Sequence, residues 1–423
     1  MLNQIFNIIN TIVIVIVCLS LSVQMIYTLF CIIRPKRYPK TKKQHKYAFV
    51  IAARNEEAVI GNLIDSIRNQ NYPQELLDIF VVCHNCTDNT EGVLKEKGGV
   101  HIIVHNDDNP NHKRKGYALE KAFEELKNYD HEAYFIFDAD NTLSPDFVNK
   151  MNDAFDSGAK ICQGFRNAKN FDQNAISVTN SFFHLRDCSF NNHARTILGS
   201  SSIIFGTGFL FSREVLTDLN WDCFSLTEDA EFTIKTVLKG CTTKTVNTGI
   251  FYDEQPTSFM VTMHRQARMG RGTFFLFFQN VGKLFKAFFK HPRYVYLDMI
   301  INLMYAPSLL LACVWFPFYY SYLPIVMLIN NQIAEFQAYL IMIAKMVALC
   351  IILPVTVQNI IALLLNIKRI KIKKWYNVFL GIILFPFINL GIAVAVICGV
   401  LNPNLKWKEV KHSCILEEDK MNN

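Results

Sequence analysis

The chain has 423 residues, 51% of them hydrophobic, and a formal net charge of +7, with a mean hydropathy of +0.17. A soluble protein of this size would be more polar, so membrane segments are expected. Most of the excess positive charge falls in two short loops beside apolar blocks, which argues for membrane orientation and against a nucleic-acid partner.

Residues 1–33 carry no charged side chain and include an apolar run long enough to cross a bilayer. No basic region precedes it and no small-residue cleavage site follows, so an uncleaved anchor is expected. Residues 34–46, "RPKRYPKTKKQHK", are a basic linker without an acid. The positive-inside rule puts them, and the domain after them, in the cytoplasm of a multi-pass protein at the cell membrane.

From residue 47 to about 255 short β-rich runs alternate with helical patterns. "YAFVIAA", "DIFVVC", "HIIV" and "AYFIFD" read as strands, while "EEAVIGNLIDSIRNQ" and "KGYALEKAFEEL" read as helices. This alternation predicts an α/β fold, a mostly parallel sheet with helices on both faces. Ligands of such sheets bind beyond the carboxyl ends of the strands. Glu56, Asp88, Asp138 and Asp140 each fall just after an expected strand.

Twelve cysteines are scattered through the chain, and a reducing compartment keeps them as thiols. Cys83 and Cys86, in "VVCHNCTDNT", form a C-x-x-C. Such a pair is redox-active, half of a zinc site, or a plain loop pair. No second pair at metal spacing follows and the thioredoxin context is absent, so the plain loop pair is expected.

Asp138 and Asp140 end the apolar run "AYFIFD". Residues i and i+2 of a strand face the same way, so both carboxylates can converge on one cation. Hard oxygen ligands suit Mg²⁺ or Mn²⁺, which in turn bridges phosphate oxygens. The bland alternative, a turn or capping aspartate near Ser144 and Pro145, explains at most one of the two. Glu228, Asp229 and Glu231 open an expected helix. They either complement its dipole or include a general base of raised basicity. Lys113, Arg114 and Lys115 neutralise phosphates or lie in a solvated loop. Arg265, Arg268 and Arg271 share one helical face, facing a diphosphate or anionic lipid.

Residues 273–292 read as an amphipathic helix in the membrane interface. Phe274, Phe277, Phe278, Val281, Leu284, Phe285 and Phe288 share one face, with Lys283, Lys286 and Lys290 opposite. Three apolar blocks follow within a membrane region at 297–401: about 297–330, 338–366 and 376–401. Lys345 inside the second either snorkels to the surface or lines a polar path. The basic stretch "IKRIKIKK" lies between the last two blocks, and the polar tail 402–423 includes the basic "KWKEVKH". A single crossing between two cytoplasmic segments is impossible. Either the last block re-enters or crosses twice, or one basic stretch is on the other side.

The ordered series "ARNEE", "NCTDNT", "KGYAL", "DAD", "GTGFLF", "TEDAEF", "YDEQPTSF" and "RQARMGRG" resembles the membrane-bound family 2 glycosyltransferases. That group includes the cellulose, chitin, hyaluronan and poly-N-acetylglucosamine synthases. The resemblance implies a GT-A domain at 47–272, a nucleotide-sugar donor, usually UDP-linked, inversion at the anomeric carbon, and a glycan or lipid-linked acceptor. It further implies that Asp138 lies near the nucleotide and with Asp140 holds Mg²⁺ or Mn²⁺. Asp229 becomes the catalytic base with Glu228 beside it. Glu56 and Asp88 fall on the nucleotide side, Lys115 near the donor, Gly206 and Gly208 on the acceptor side, and Arg268 in the surviving arginine position. Two departures stand out. His84 replaces an aspartate that helps hold the uracil in related sequences. In place of Q-x-x-R-W the chain has Arg265, Gln266, Ala267, Arg268 and Met269, so the tryptophan platform for an acceptor sugar is missing.

Overall fold

The computed structural model describes residues 2–109 and 112–402. Its centre is an eight-stranded sheet in the order β3-β2-β1-β4-β7-β6-β8-β5. The strands are β1 (Tyr47–Ala53), β2 (Leu77–His84), β3 (His101–His105), β4 (Ala133–Asp138), β5 (Thr142–Leu143), β6 (Ile161–Ala168), β7 (Phe209–Ser212) and β8 (Thr243–Asp253). The four strands read from the sequence form the parallel half, β3-β2-β1-β4. The other half is mixed: β7 runs antiparallel between β4 and β6, and β6 pairs parallel with β8. The expected mostly parallel sheet is thus parallel on one side only.

Period-2 alternation sorts β1 onto two cores. Tyr47, Phe49 and Ile51 point into one cluster with α2 (Ile60–Arg68), α3 (Thr90–Lys97) and, after α4, α5 (Phe147–Asp156). Ala48 and Val50 point into the other with α4 (Lys115–Leu126). In α2 the spacing Ile60, Leu63, Ile64, Ile67 gives one buried stripe, and in α4 Ala118, Leu119, Ala122, Phe123 and Leu126 do the same. Burial on both faces explains why these strands are continuous apolar runs.

The N-terminal helix, where the anchor is expected, is α1 (Leu2–Leu29). After the sheet helices come α6 (Ala175–Arg186), α7 (Asn192–Ile197), α8 (Arg213–Leu219), α9 (Glu228–Leu238), α10 (Phe259–Lys290), α11 (Tyr294–Leu303), α12 (Tyr305–Ile329), α13 (Ile333–Val347), α14 (Leu353–Asn366) and α15 (Trp375–Leu401). The interfacial helix expected at 273–292 is the second half of α10, which begins 14 residues earlier and runs unbroken for 32 residues. Its face also differs from the expected one. Leu276 and Leu284 are buried, with Phe277, Val281 and Phe288 packed beside them, against Met299 and Leu303 of α11. Phe275, Phe278, Phe285 and Phe289 remain exposed, next to the exposed lysines 283, 286 and 290 rather than opposite them.

Four helices are long and apolar enough to cross a membrane by length and composition: Gln4–Ile32, Tyr305–Ile329, Ile333–Asn366 and Trp375–Leu401. The first expected block is divided at Met304 into α11 and α12, and the second starts earlier than expected, at Ile333. Lys345 is exposed on α13 and faces outward, so it lines no internal path. In α15, Asn377 donates to the carbonyls of Asp172 (2.9 Å) and Gln173 (3.2 Å) at one end. At the other end, the carbonyls of Gly399 and Val400 accept from Arg271 at 3.2 and 2.9 Å. Arg271 is thereby turned away from the cleft that Arg265 and Arg268 face. The stretch "KWKEVKH" lies outside the described residues.

A buried ion pair joins α11 to α7, and α1 hydrogen-bonds to it. Asp298 of α11 has no solvent exposure and accepts from Arg195 of α7 (3.1 Å) and the Tyr27 hydroxyl of α1 (2.8 Å).

Candidate functional site

The carboxyl ends of β1, β2 and β4 open onto one cleft. β4 delivers Asp138 at its last position, and the Asp138 N–H donates to Thr207 Oγ1 at 2.9 Å. Lys115, the first residue of α4, hydrogen-bonds the Asp138 carboxylate and donates to the Gly206 carbonyl at 2.7 Å. Burial opposes the lysine charge, but Asp138, Glu228 and Asp229 outweigh it and hold the ammonium charged. Gly206 has φ +76°, a conformation only glycine adopts freely. It lies against Asp229: a Cβ there would stand 3.3 Å from Asp229 Oδ2. Lys115, Asp138, Gly206 and Asp229 are therefore one contiguous constellation.

Glu228 and Asp229 open α9, where the helix dipole favours acids. Burial, and then the neighbouring Asp229 charge, push the Glu228 carboxyl up to about 7, with Lys115 and Arg268 acting in the opposite sense. Asp229 is also raised by burial, against the Ala230 N–H that donates to its Oδ1 at 2.8 Å and against Lys115 and Arg268. Arg268 thus reaches the acidic pair through its charge. Two adjacent carboxyls of raised basicity are the physical requirement for a general base near neutral pH.

Asp140 lies two residues beyond Asp138, in the turn that follows β4. Burial, then Asp253 and Asp138, push its carboxyl up to about 8, with Lys169 opposing. Lys169 donates to the Asp140 carbonyl at 2.6 Å. A carboxylate held among other acids is costly unless a cation joins them, and hard oxygen donors suit Mg²⁺ or Mn²⁺. The residues fit such an ion. Among the described residues no group of three or more His, Cys, Asp or Glu is placed to hold a metal, so Asp138 and Asp140 would hold it only together with oxygens from outside the protein.

Three further residues belong here, though the sequence singles out none of them for this region. Asp253 ends β8 and pairs with Arg166 of β6, Nε to Oδ2 at 3.0 Å, and its Oδ1 accepts from Asn141 at 2.9 Å. Arg265 stands beside them, its guanidinium brought down to about 10 by burial and by the Arg166 charge, with Asp253 opposing. Asp253 lies in the quoted "YDEQPTSF", which was the available signal.

The remaining expected residues lie around this cluster, and the Glu56 charge reaches Asp140. Asp88 faces the neighbouring loop: its Oδ2 accepts from the Glu57 N–H (3.0 Å) and its Oδ1 from the Thr90 N–H (3.1 Å). Glu56 sits on the same rim, its N–H donating to Thr90 Oγ1 at 2.8 Å. Gly208, at φ +66°, serves packing: a Cβ there would overlap the Phe251 ring. His84 is buried, stacked on His105 at 5.1 Å, and brought down to about 4 by burial and by His105. It is a neutral imidazole, and its Nε2 has no hydrogen-bond partner among the described residues. Met269 is exposed.

Residues 45–272 match the family described as Glycosyltransferase like family 2, more than half of the chain. The chain belongs to that family. Relatives within reach include a probable glycosyltransferase YdaM of Bacillus subtilis, 26% identical over 60% of this chain and 61% of that protein. A beta-monoglucosyldiacylglycerol synthase of Nostoc is 25% identical over 56% of this chain and 52% of that protein. The chain thus spans less than two thirds of the length of these curated relatives. Among solved structures, a mannosyltransferase of Pyrobaculum calidifontis, in complex with GDP-Man and Mn²⁺, aligns with a TM-score of 0.52. It is 17% identical and covers 79% of this chain and 97% of that one. The family 2 sheet domain has the GT-A architecture of that neighbour.

Proposed function

We propose that the protein is a membrane-embedded inverting glycosyltransferase that moves a sugar from a nucleotide-sugar, UDP-linked, to a growing glycan. The observation that carries this reading is the convergence of Lys115, Asp138, Gly206 and Asp229 on one cleft at the strand ends. Asp138 and Asp140 would hold a divalent cation, which supplies neutralisation of the departing diphosphate. Lys115 fixes the Asp138 carboxylate and adds positive charge on the donor side. Asp229, of raised basicity, takes the proton of the acceptor hydroxyl as that oxygen attacks from the face opposite the leaving group. Glu228 stands beside it as a second carboxyl, raised by burial and by the Asp229 charge.

The same cleft supports a second reading, transfer of one sugar to a lipid acceptor. Met269 favours it, because a methionine offers no flat platform to hold successive sugars. The relative named beta-monoglucosyldiacylglycerol synthase favours it as well. In either case α1 crosses the membrane once, and α12 with α13–α14 forms a hairpin. α15 touches the catalytic domain at both ends, whereas a perpendicular crossing would touch it at one. This supports a re-entrant last block, which leaves the basic stretches on either side of it in the cytoplasm.

The test is nucleoside diphosphate release from membranes supplied with UDP- and GDP-sugars and Mn²⁺, with Asp229→Asn in parallel. Release with one donor, lost with EDTA and in the variant, is expected. Product sizing then distinguishes polymer from single addition. No release from folded protein with any donor and with lipid and glycan acceptors would overturn the proposal.

A further inference from the structure

The Cys83–Cys86 pair, expected to be a plain loop pair, spans the end of β2 and the turn after it. Cys83 is the partner of Ala53 in the β1–β2 register and is buried. His84 ends the strand, and Asn85 takes a left-handed φ of +53°. That turn folds the chain back, so that Cys86 Sγ lies 3.5 Å from the Ala53 carbonyl and Cys86 packs against the same core cluster that holds Cys83. One sulfur is enclosed and the other half-exposed, the arrangement of a resolving and an attacking thiol.

The loop that follows is laced to the rim of the cleft. Thr87 N–H donates to Asn55 Oδ1 (2.8 Å), Asn89 N–H to Glu57 Oε2 (2.8 Å), Glu57 N–H to Asp88 and Glu56 N–H to Thr90. A shift of Cys86 is therefore carried to Glu56 and Asp88.

We propose that Cys83 and Cys86 form a site of reversible two-electron oxidation, by hydrogen peroxide, that controls entry of the donor nucleotide. The Cys86 thiolate attacks the peroxide; the O–O bond breaks, hydroxide leaves, and Cys86 becomes a sulfenic acid. The Cys83 thiol then attacks the Cys86 sulfur. The S–S bond forms, the S–O bond breaks, and water leaves with the Cys83 proton. Two electrons pass from the sulfurs to the peroxide, and a dithiol reverses the step. Closure to an S–S bond of about 2.05 Å draws Cys86 from the Ala53 carbonyl and pulls the laced rim with it.

The thiol chemistry supports the order of attack. The Cys83 thiol and the Asn55 N–H bring the Cys86 thiol down to about 7, against burial. Burial instead pushes Cys162 and Cys188 up to about 12. Low-pKa, accessible thiols are the ones oxidised.

The oxidation stands apart from the proposed transfer, while its effect on donor entry rests on that reading. The experiment treats full-length protein in membranes with hydrogen peroxide, then with dithiothreitol. Mass spectrometry follows the peptide containing residues 83 and 86, alongside binding and turnover of the donor. The expected result is loss of two hydrogens from that peptide and at least a tenfold drop in nucleotide binding, both restored by dithiothreitol. Cys83→Ala and Cys86→Ser keep the reduced activity and lose the response, and the partly exposed position of Cys86 guards against misfolding. A disulfide that leaves nucleotide binding unchanged, or a peptide that oxidises without one, overturns the inference. If the reduced protein transfers no sugar but the disulfide forms and reverses, the transferase reading fails and the oxidation site stands.

Discussion

Gly206 and Asp229 meet so closely that a Cβ on the glycine would sit 3.3 Å from the carboxylate Oδ2. The left-handed φ of +76° and this contact act together. Gly206→Ala costs about 1–2 kcal/mol of backbone strain and displaces the base. Turnover is expected to fall at least about tenfold while nucleotide binding is kept, because the donor rim lies at β1 and β2. Parallel measurement of kcat and nucleotide Kd checks this; a loss of binding alone would count against it.

The raised carboxyls of α9 set a pH dependence. Transfer requires the pair deprotonated, so it rises with pH and is lost on acidification through about 7, where Glu228 is placed. Glu228→Gln removes the carboxyl placed near 7, and the rising limb moves to lower pH. The pH profile of kcat/KM for both proteins reads this out. An unmoved limb would exclude Glu228 as the titrating group.

Asp140 gathers charge in the apo state. Burial and its acidic neighbours oppose its ionised form, so Asp140→Asn is expected to raise the thermal midpoint without metal. A ligand at 100 times its Kd adds about 2.7 kcal/mol of stability. The variant should lose that Mn²⁺-dependent gain. Thermal melts with and without Mn²⁺ test both halves, and an undiminished Mn²⁺ shift would remove Asp140 from the ligand set.

Asp298 carries a different cost. It is buried and accepts from Arg195 and Tyr27. Asp298→Ala strands the Arg195 charge and is expected to destabilise by about 3–5 kcal/mol. Arg195→Met with Asp298→Leu should recover much of that loss. Unfolding in detergent would show it, and equal melts for the single and double variants would refute the coupling.

Much of this was legible along the chain and some was not. The parallel strands β1 to β4 and helix α4 carry their own local signals, and Asp138, Asp140, Glu228 and Asp229 were marked by position at element ends. Asp253 and Arg166 are 87 residues apart, and only strand pairing brings them together. The α10 boundary was missed for a physical reason. Its first half is covered by α15 and its second by α11 and the exterior, so the composition changes at 273 while the backbone does not. Arg271 shares a spacing with Arg265 and Arg268, but helix spacing does not say that the α15 carbonyls lie in its path.

That unbroken helix has a mechanical consequence. Thirty-two residues make a rod about 47 Å long. Arg268 rides near one end, beside the carboxylate pair, and exposed rings ride near the other. A rod has a single orientation, so any change in how deeply the rings settle is also a change in how the guanidinium is presented. With the membrane placement proposed above, lipid composition and temperature would act on the carboxylate pair as forces, with no bound effector and no signal carried through the sheet.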